Sequence, residues 1–146
     1  MSRSKLSEHA SVHGLAPFVH VADVERSLQF YAELGLERRD TLGAEDGRLF
    51  WGSMRHGQAH IMFAQADAPV DAELQGVVFY FYSRDVVALR THLLESGARE
   101  GNDAHDHREA EEKGVVFPIT HPPHMPAGEL RVHDPDGYCL LIGQPG

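Results

Sequence analysis

Cysteine is almost missing from this chain: Cys139 is the single one in 146 residues. No internal disulfide can form, which fits a reducing compartment. Cys139 stands in the apolar run Tyr138–Ile142, so a buried, inert thiol is expected there. Long hydrophobic runs are missing as well. No segment approaches the roughly 20 apolar residues that span a bilayer. Met1 to Gly14 carries both signs of charge and lacks the apolar centre of a signal peptide. A cytoplasmic protein with no membrane partner is therefore expected. Basic residues are scarce, 13 against 22 acidic for a net charge of −9. They do not cluster, which argues against a nucleic-acid partner, whose phosphates require a basic face. Glycine-rich phosphate loops, dinucleotide fingerprints and Ser–His–Asp patterns are absent. That removes kinases, Rossmann enzymes and the common hydrolases.

What is present is enough apolar content, 42%, for one domain with a genuine core. Residues 1–14 read as a flexible lead-in and 15–144 as the domain. Leu15–Val21 is a strand candidate. Asp23 offers an N-cap to a helix with Val24, Leu28, Tyr31 and Leu34 at helical spacing, and Gly35 supplies a left-handed stop. Strand candidates follow at Leu36–Leu42, Arg48–Met54 and Gln58–Gln65, joined by Ala44-Glu45-Asp46-Gly47 and His56-Gly57 turns. Ala66–Gln75 is a loop and the boundary between two halves.

The pattern then restarts. Val77–Ser83 is strand-like, Asp85 caps a helix carrying Val86, Leu89 and Leu93, and Gly97 ends it. The two caps lie 62 residues apart, and so do the two stop glycines. A shared offset marks an internal repeat, with module one at about 15–66 and module two at about 75–144. Module two holds a histidine-rich insertion at about 99–126. Val115–Ile119 is a strand candidate. Three prolines between His121 and Pro126 exclude a central strand there. Glu129–His133 and Tyr138–Ile142 form a hairpin around the Asp134-Pro135-Asp136-Gly137 turn, with His133 as a surface residue.

The segment Phe18-Val19-His20-Val21-Ala22-Asp23-Val24-Glu25-Arg26-Ser27, running into Phe30-Tyr31 and Leu34-Gly35, resembles the first strand and helix of the glyoxalase/bleomycin-resistance/extradiol-dioxygenase (vicinal-oxygen-chelate) superfamily. Asp134-Pro135-Asp136-Gly137-Tyr138 resembles that family's closing turn. The resemblance covers Leu15 to Gln144. It implies an α+β fold of two βαβββ modules, with a curved mixed sheet around a pocket, and a homodimer in which pockets draw residues from both copies. The family hosts many activities, so fold alone does not fix the reaction. Its metal-dependent members place His, Gln or Glu at four strand positions. Carried over one at a time, those positions fall on Ala16, Met62, Val78 and Leu141. None suits a hard or borderline metal, since a thioether prefers soft ions. The resemblance therefore points to a metal-free member, nearest the drug-sequestering ones, with no cofactor.

Strand side chains alternate between faces. Phe18 and His20 should share a face with Ala16, Tyr80 and Tyr82 with Val78, His60 with Met62, and Cys139 with Leu141. The expected ligand-binding lining is Phe18, His20, Trp51, His60, Met62, Tyr80, Tyr82 and Leu141. It suits a planar or amphipathic small molecule. His20 either fixes a ligand carboxylate, acts as a general base, or is simply a hydrogen-bonded strand residue at the pocket mouth. Tyr82 is its repeat mate and candidate partner. The two tyrosines either meet ligand or pack. His60 is either a satisfied strand histidine or a catalyst. Trp51 either stacks a ligand or packs against a helix or a second subunit. His105, His107, His121 and His124 could hold a displaced metal, but no finger spacing supports them, and a solvated acidic loop is the simpler reading. Three functions stay open at this point. One is stoichiometric sequestration of an aromatic or amphipathic ligand. Another is a glyoxalase-like lyase or isomerase, or a dioxygenase-related enzyme, with His20 or His60 as catalytic acid/base. The third is a structural or regulatory ligand sensor with no activity of its own.

Overall fold

The computed structural model describes residues 6–71, 74, 76–102 and 111–146. His105 and His107 lie outside the described residues. The elements run β1 (Phe18–Val21), α1 (Val24–Ala32), β2 (Glu37–Gly43), β3 (Leu49–His56), β4 (Ala59–Gln65), β5 (Phe79–Tyr82), α2 (Val86–Glu95), β6 (Arg99–Glu100), β7 (Val115–Val116), β8 (Glu129–His133) and β9 (Cys139–Gly143). Each module forms its own mixed sheet. The first has strand order β1-β4-β3-β2 and the second β5-β9-β8-β7-β6. In both, the strand before the helix pairs in parallel with the module's last strand. Module two carries one strand more than the repeat predicts, because β6 and β7 pair in parallel over two residues each. The strand expected at Val115–Ile119 is correspondingly short, since Pro118 removes a ladder donor.

The caps behave as the spacing predicts. Asp23 accepts a hydrogen bond from the Arg26 amide (3.1 Å), and Asp85 accepts one from the Ala88 amide (2.9 Å). Each satisfies a donor that the first helical turn leaves open. Gly35 and Gly97 adopt φ of 95° and 109°, values that any Cβ would strain. Val24, Leu28 and Tyr31 are fully buried on one face of α1, which lies against β3 and β4. Gly52 permits this approach: a Cβ there would meet both Leu28 methyls at 3.1 Å.

The two modules share one core, in which Val19, Val21, Ile61 and Phe63 from the first join Val86, Leu130, Leu140 and Ile142 from the second. The closing turn locks them together. Asp136 is buried, and its Oδ1 accepts hydrogen bonds from the Ala22 amide (3.0 Å) and the Arg26 guanidinium (3.1 Å). Asp134 accepts from its own turn, at the Asp136 and Tyr138 amides, and from the Tyr31 hydroxyl at 2.8 Å. Tyr138 donates its hydroxyl to the His20 carbonyl (2.7 Å). Burial is the main reason that the Asp134 carboxyl rises to about 7 and that the Tyr31 hydroxyl is pushed well up. The turn is thus a buried clamp between modules as well as a hairpin end. Among the described residues, no helix is long and apolar enough to cross a membrane.

Candidate functional site

Alternation on the strands gives each sheet a packed side and an open side. On β1, Val19 and Val21 are buried while Phe18 and His20 are exposed. On β4, Ile61 and Phe63 pack inward, and His60 and Met62 take the other side. On β3, Gly52 and Met54 meet the helix side, which sends Trp51, Ser53 and Arg55 the opposite way. The pairing Ser53↔Met62 and Arg55↔His60 sets these side chains beside one another, and Phe18 is in register with Met62. A bulge in β2 between Arg38 and Thr41 then brings Arg39 and Asp40 alongside.

The result is a shallow cavity of about 320 Å³ lined by Arg39, Asp40, Trp51, Ser53, Arg55, His60 and Met62. Ser53 is buried, and its hydroxyl accepts from the Asp40 amide at 3.2 Å. Burial, then the neighbouring Arg55 charge, lowers the His60 pKa, so the ring stays neutral near pH 7. A larger cleft of about 500 Å³ lies on the helix side. Most of its charges are already matched: Arg38 with Glu25, Arg26 with Asp136, and Glu33 with His92 and Ser96, while Glu112 and Lys113 remain at its rim. That leaves little for a ligand to satisfy.

The open side of the second sheet has different chemistry. Tyr80 and Tyr82 lie with ring centroids 5.4 Å apart. Tyr80 donates its hydroxyl to Glu129 Oε2 (2.7 Å), and His124 Nε2 lies 2.8 Å from the same oxygen. Burial and this carboxylate push the Tyr80 hydroxyl up to about 12. Arg131 sits 5.4 Å over the Phe117 ring. Leu141 is paired with Tyr80 across β5 and β9.

Of the anticipated lining, the structure brings Trp51, His60 and Met62 into one cavity. It sets the Phe18 and His20 rings in a T-shaped contact, centroids 5.7 Å apart, on the same sheet. Tyr80, Tyr82 and Leu141 are grouped on the other sheet. His20 and Tyr82 make no hydrogen bond with each other among the described residues, because their strands belong to different sheets. His133 is a correction: it is buried rather than at the surface, with Phe117 packed over it at 4.8 Å. Its parity puts it on the face away from Leu130 and Val132, and Phe117 covers that face. His121 and His124 turn to different partners, the Pro126 carbonyl and Glu129. Among the described residues, no group of three or more His, Cys, Asp or Glu is placed to hold a metal.

Arg39, Arg55 and Ser53 were missed, as were Glu129 and Arg131 on the other sheet. The signal was available for most of them. Ser53 and Arg55 follow Trp51 at intervals of two, so fixing the face of Trp51 fixes theirs. Arg39 depends on a bulge that no pattern announces.

The resemblance carries the family's metal positions onto Ala16, Met62, Val78 and Leu141. Three hydrocarbon side chains and a thioether do not form the donor set for iron, manganese, nickel or zinc, so the residues present do not fit that group.

The profile of the Glyoxalase/Bleomycin resistance protein/Dioxygenase superfamily matches residues 12–142. Among solved structures, the bleomycin-binding protein from bleomycin-producing Streptomyces verticillus, complexed with copper(II)-bleomycin, aligns with TM-score 0.64 at 16% identity, over 93% of this chain and 98% of that one. TnmS3, an antibiotic binding protein from Streptomyces sp. CB03234, aligns with TM-score 0.65 at 20% identity over 94% and 98%. A glyoxalase-related enzyme from Clostridium phytofermentans aligns with TM-score 0.63 at 16% identity over 93% and 97%. At these identities the likeness is one of fold. No curated protein matches significantly.

Proposed function

Because this chain belongs to the Glyoxalase/Bleomycin resistance protein/Dioxygenase superfamily, we propose that it binds an aromatic or amphipathic small molecule stoichiometrically, without a metal or other cofactor. The observation that carries this reading is the cavity on the first sheet. It sets an indole, a thioether and polar groups side by side, while all four positions that would supply metal donors are hydrocarbon or thioether. Ring contacts give affinity there, and the few polar groups fix orientation. Structural relatives described as bleomycin-binding and antibiotic-binding proteins support the same direction. We further place the protein in the cytoplasm as a homodimer. Phe18, Leu42, Phe50 and Tyr82 are exposed, and a second copy would cover such surface. The experiment is equilibrium dialysis against a panel of aromatic antibiotics, with the retained ligand identified by mass spectrometry. Sequestration predicts one unaltered ligand per cavity. A converted product would sink it. Sedimentation equilibrium tests the dimer in the same samples.

A second reading, as a lyase or isomerase, has two observations in its favour. His60 is held neutral and so is ready to accept a proton, and Tyr80, Glu129 and His124 form a second hydrogen-bonded set for acid/base work. It requires that His60→Ala abolish conversion while leaving ligand affinity largely intact.

A further inference from the structure

The first sheet's cavity holds two guanidiniums without a carboxylate partner. Elsewhere in the described residues Arg26, Arg38, Arg90 and Arg99 are each matched to an Asp or Glu, while the guanidiniums of Arg48, Arg84 and Arg131 stand apart from any carboxylate, so it is the convergence of two such groups on one cavity that sets this site apart. Arg39 and Arg55 make no ion pair among the described residues. Carboxylates are plentiful, 22 acidic residues against 13 basic, so pairing them would have been easy. One carboxylate, Asp40, lines the same cavity, and it leaves the site with a net positive balance. Arg55 and His60 stand directly across from each other. The Arg55 field helps to lower the His60 pKa, as expected where no anion neutralises it.

The row has a direction. Trp51 and Arg55 are four residues apart on one strand face, roughly 13 Å at the usual rise. Their long side chains close part of that span. Met62 lies between them, across from Ser53.

Resting on the ligand-binding reading above, we propose that the ligand of this cavity is an aromatic anion, with its ring on Trp51 and Met62 and its carboxylate, or an equivalent oxyanion, on Arg55 and Arg39. A guanidinium presents paired donors that match a planar carboxylate. His60, neutral, adds one more donor.

Trp51 is the single tryptophan, so one indole N–H cross-peak in a nitrogen–proton correlation spectrum reports this cavity alone. The test titrates the full chain with 2-naphthoate, 2-naphthamide and 2-naphthylmethylammonium, which share a ring and differ in charge. Naphthoate is expected to shift the Trp51 peak with a Kd about tenfold or more below that of the amide, the size of one charge-assisted contact. The ammonium should be weakest. Arg55→Met should bring the naphthoate Kd most of the way up to that of the amide, Arg55→Lys should keep more of the preference, and Arg39→Met combined with Arg55→Met should erase it. Equal affinities, or a preference for the ammonium, overturn the anion inference and leave ligand binding standing. A Trp51 peak that no probe moves overturns both the inference and the cavity's role as a binding site.

Discussion

The two modules are built alike on their helix sides and differently on their open sides. Both helices start at an aspartate cap, end at a glycine of positive φ and lie against their own sheet. Positions 62 residues apart correspond across the repeat: Phe18 with Tyr80, His20 with Tyr82. Yet one open side carries Trp51, Arg39, Arg55 and His60, and the other carries Tyr80, Tyr82, Glu129 and His124. Packing constrains the first set of positions, because a wrong residue there leaves a void or a clash. Packing places no such constraint on the second set. The difference between the modules therefore separates scaffold from chemistry within one chain.

The largest expected effect tests that separation inside a single strand. Phe63→Ala should cost about 3–5 kcal/mol, while Met62→Ala, one residue away on the open side, should cost less than about 1 kcal/mol. Urea unfolding measures both. Similar losses would mean that the open side is part of the core.

The inter-module clamp should give the next largest effect. Folded Asp134 titrates near 7, raised above its unfolded value by burial. The folded state then binds more protons than the unfolded one across this window. Stability should fall as pH rises from about 4 towards 7, by on the order of a few kcal/mol, and Asp134→Asn should flatten the slope. Thermal melts across that range decide it, and an unchanged slope in the variant would assign the dependence elsewhere.

Two smaller shifts sharpen the contrast between the open sides. Glu129→Gln should bring the Tyr80 hydroxyl down from about 12 by roughly one unit. The drop is partial because burial is the larger cause. Ultraviolet titration of tyrosinate reads it. In the other module, Arg55→Met should raise the His60 pKa without restoring it fully, since burial is the larger cause of its lowering. Proton NMR of the His60 ring follows it. Lack of movement in either would show that Glu129 does not act on Tyr80, or Arg55 on His60, as their placement implies.

The scaffold was legible in the sequence because caps, stop glycines and apolar alternation are local signals. Asp23, Gly35, Asp85 and Gly97 all act as their spacing implies. Glu129–His133 matches its strand residue for residue. Strands began two or three residues later where pairing, not propensity, sets their ends, as at Phe18 and Phe79. The site was legible in part. Parity found His60 and Met62 from one anchor, and Trp51 was singled out. It was not applied along β3, where it yields Ser53 and Arg55. Arg39 depends on a bulge, and the buried role of Asp134 and Asp136 depends on contacts more than a hundred residues away. The second kind of information is tertiary and has no local signature.

Metal content is the most direct test of the central claim, that ring and charge contacts have replaced metal ligation in this fold. The chain, purified without chelator or affinity tag, would be exposed to iron, manganese, nickel and zinc, desalted, and assayed by inductively coupled plasma mass spectrometry. A content near zero for all four is predicted. A stoichiometric, tightly held metal that survives substitution of the exposed histidines His121 and His124 would contradict the account.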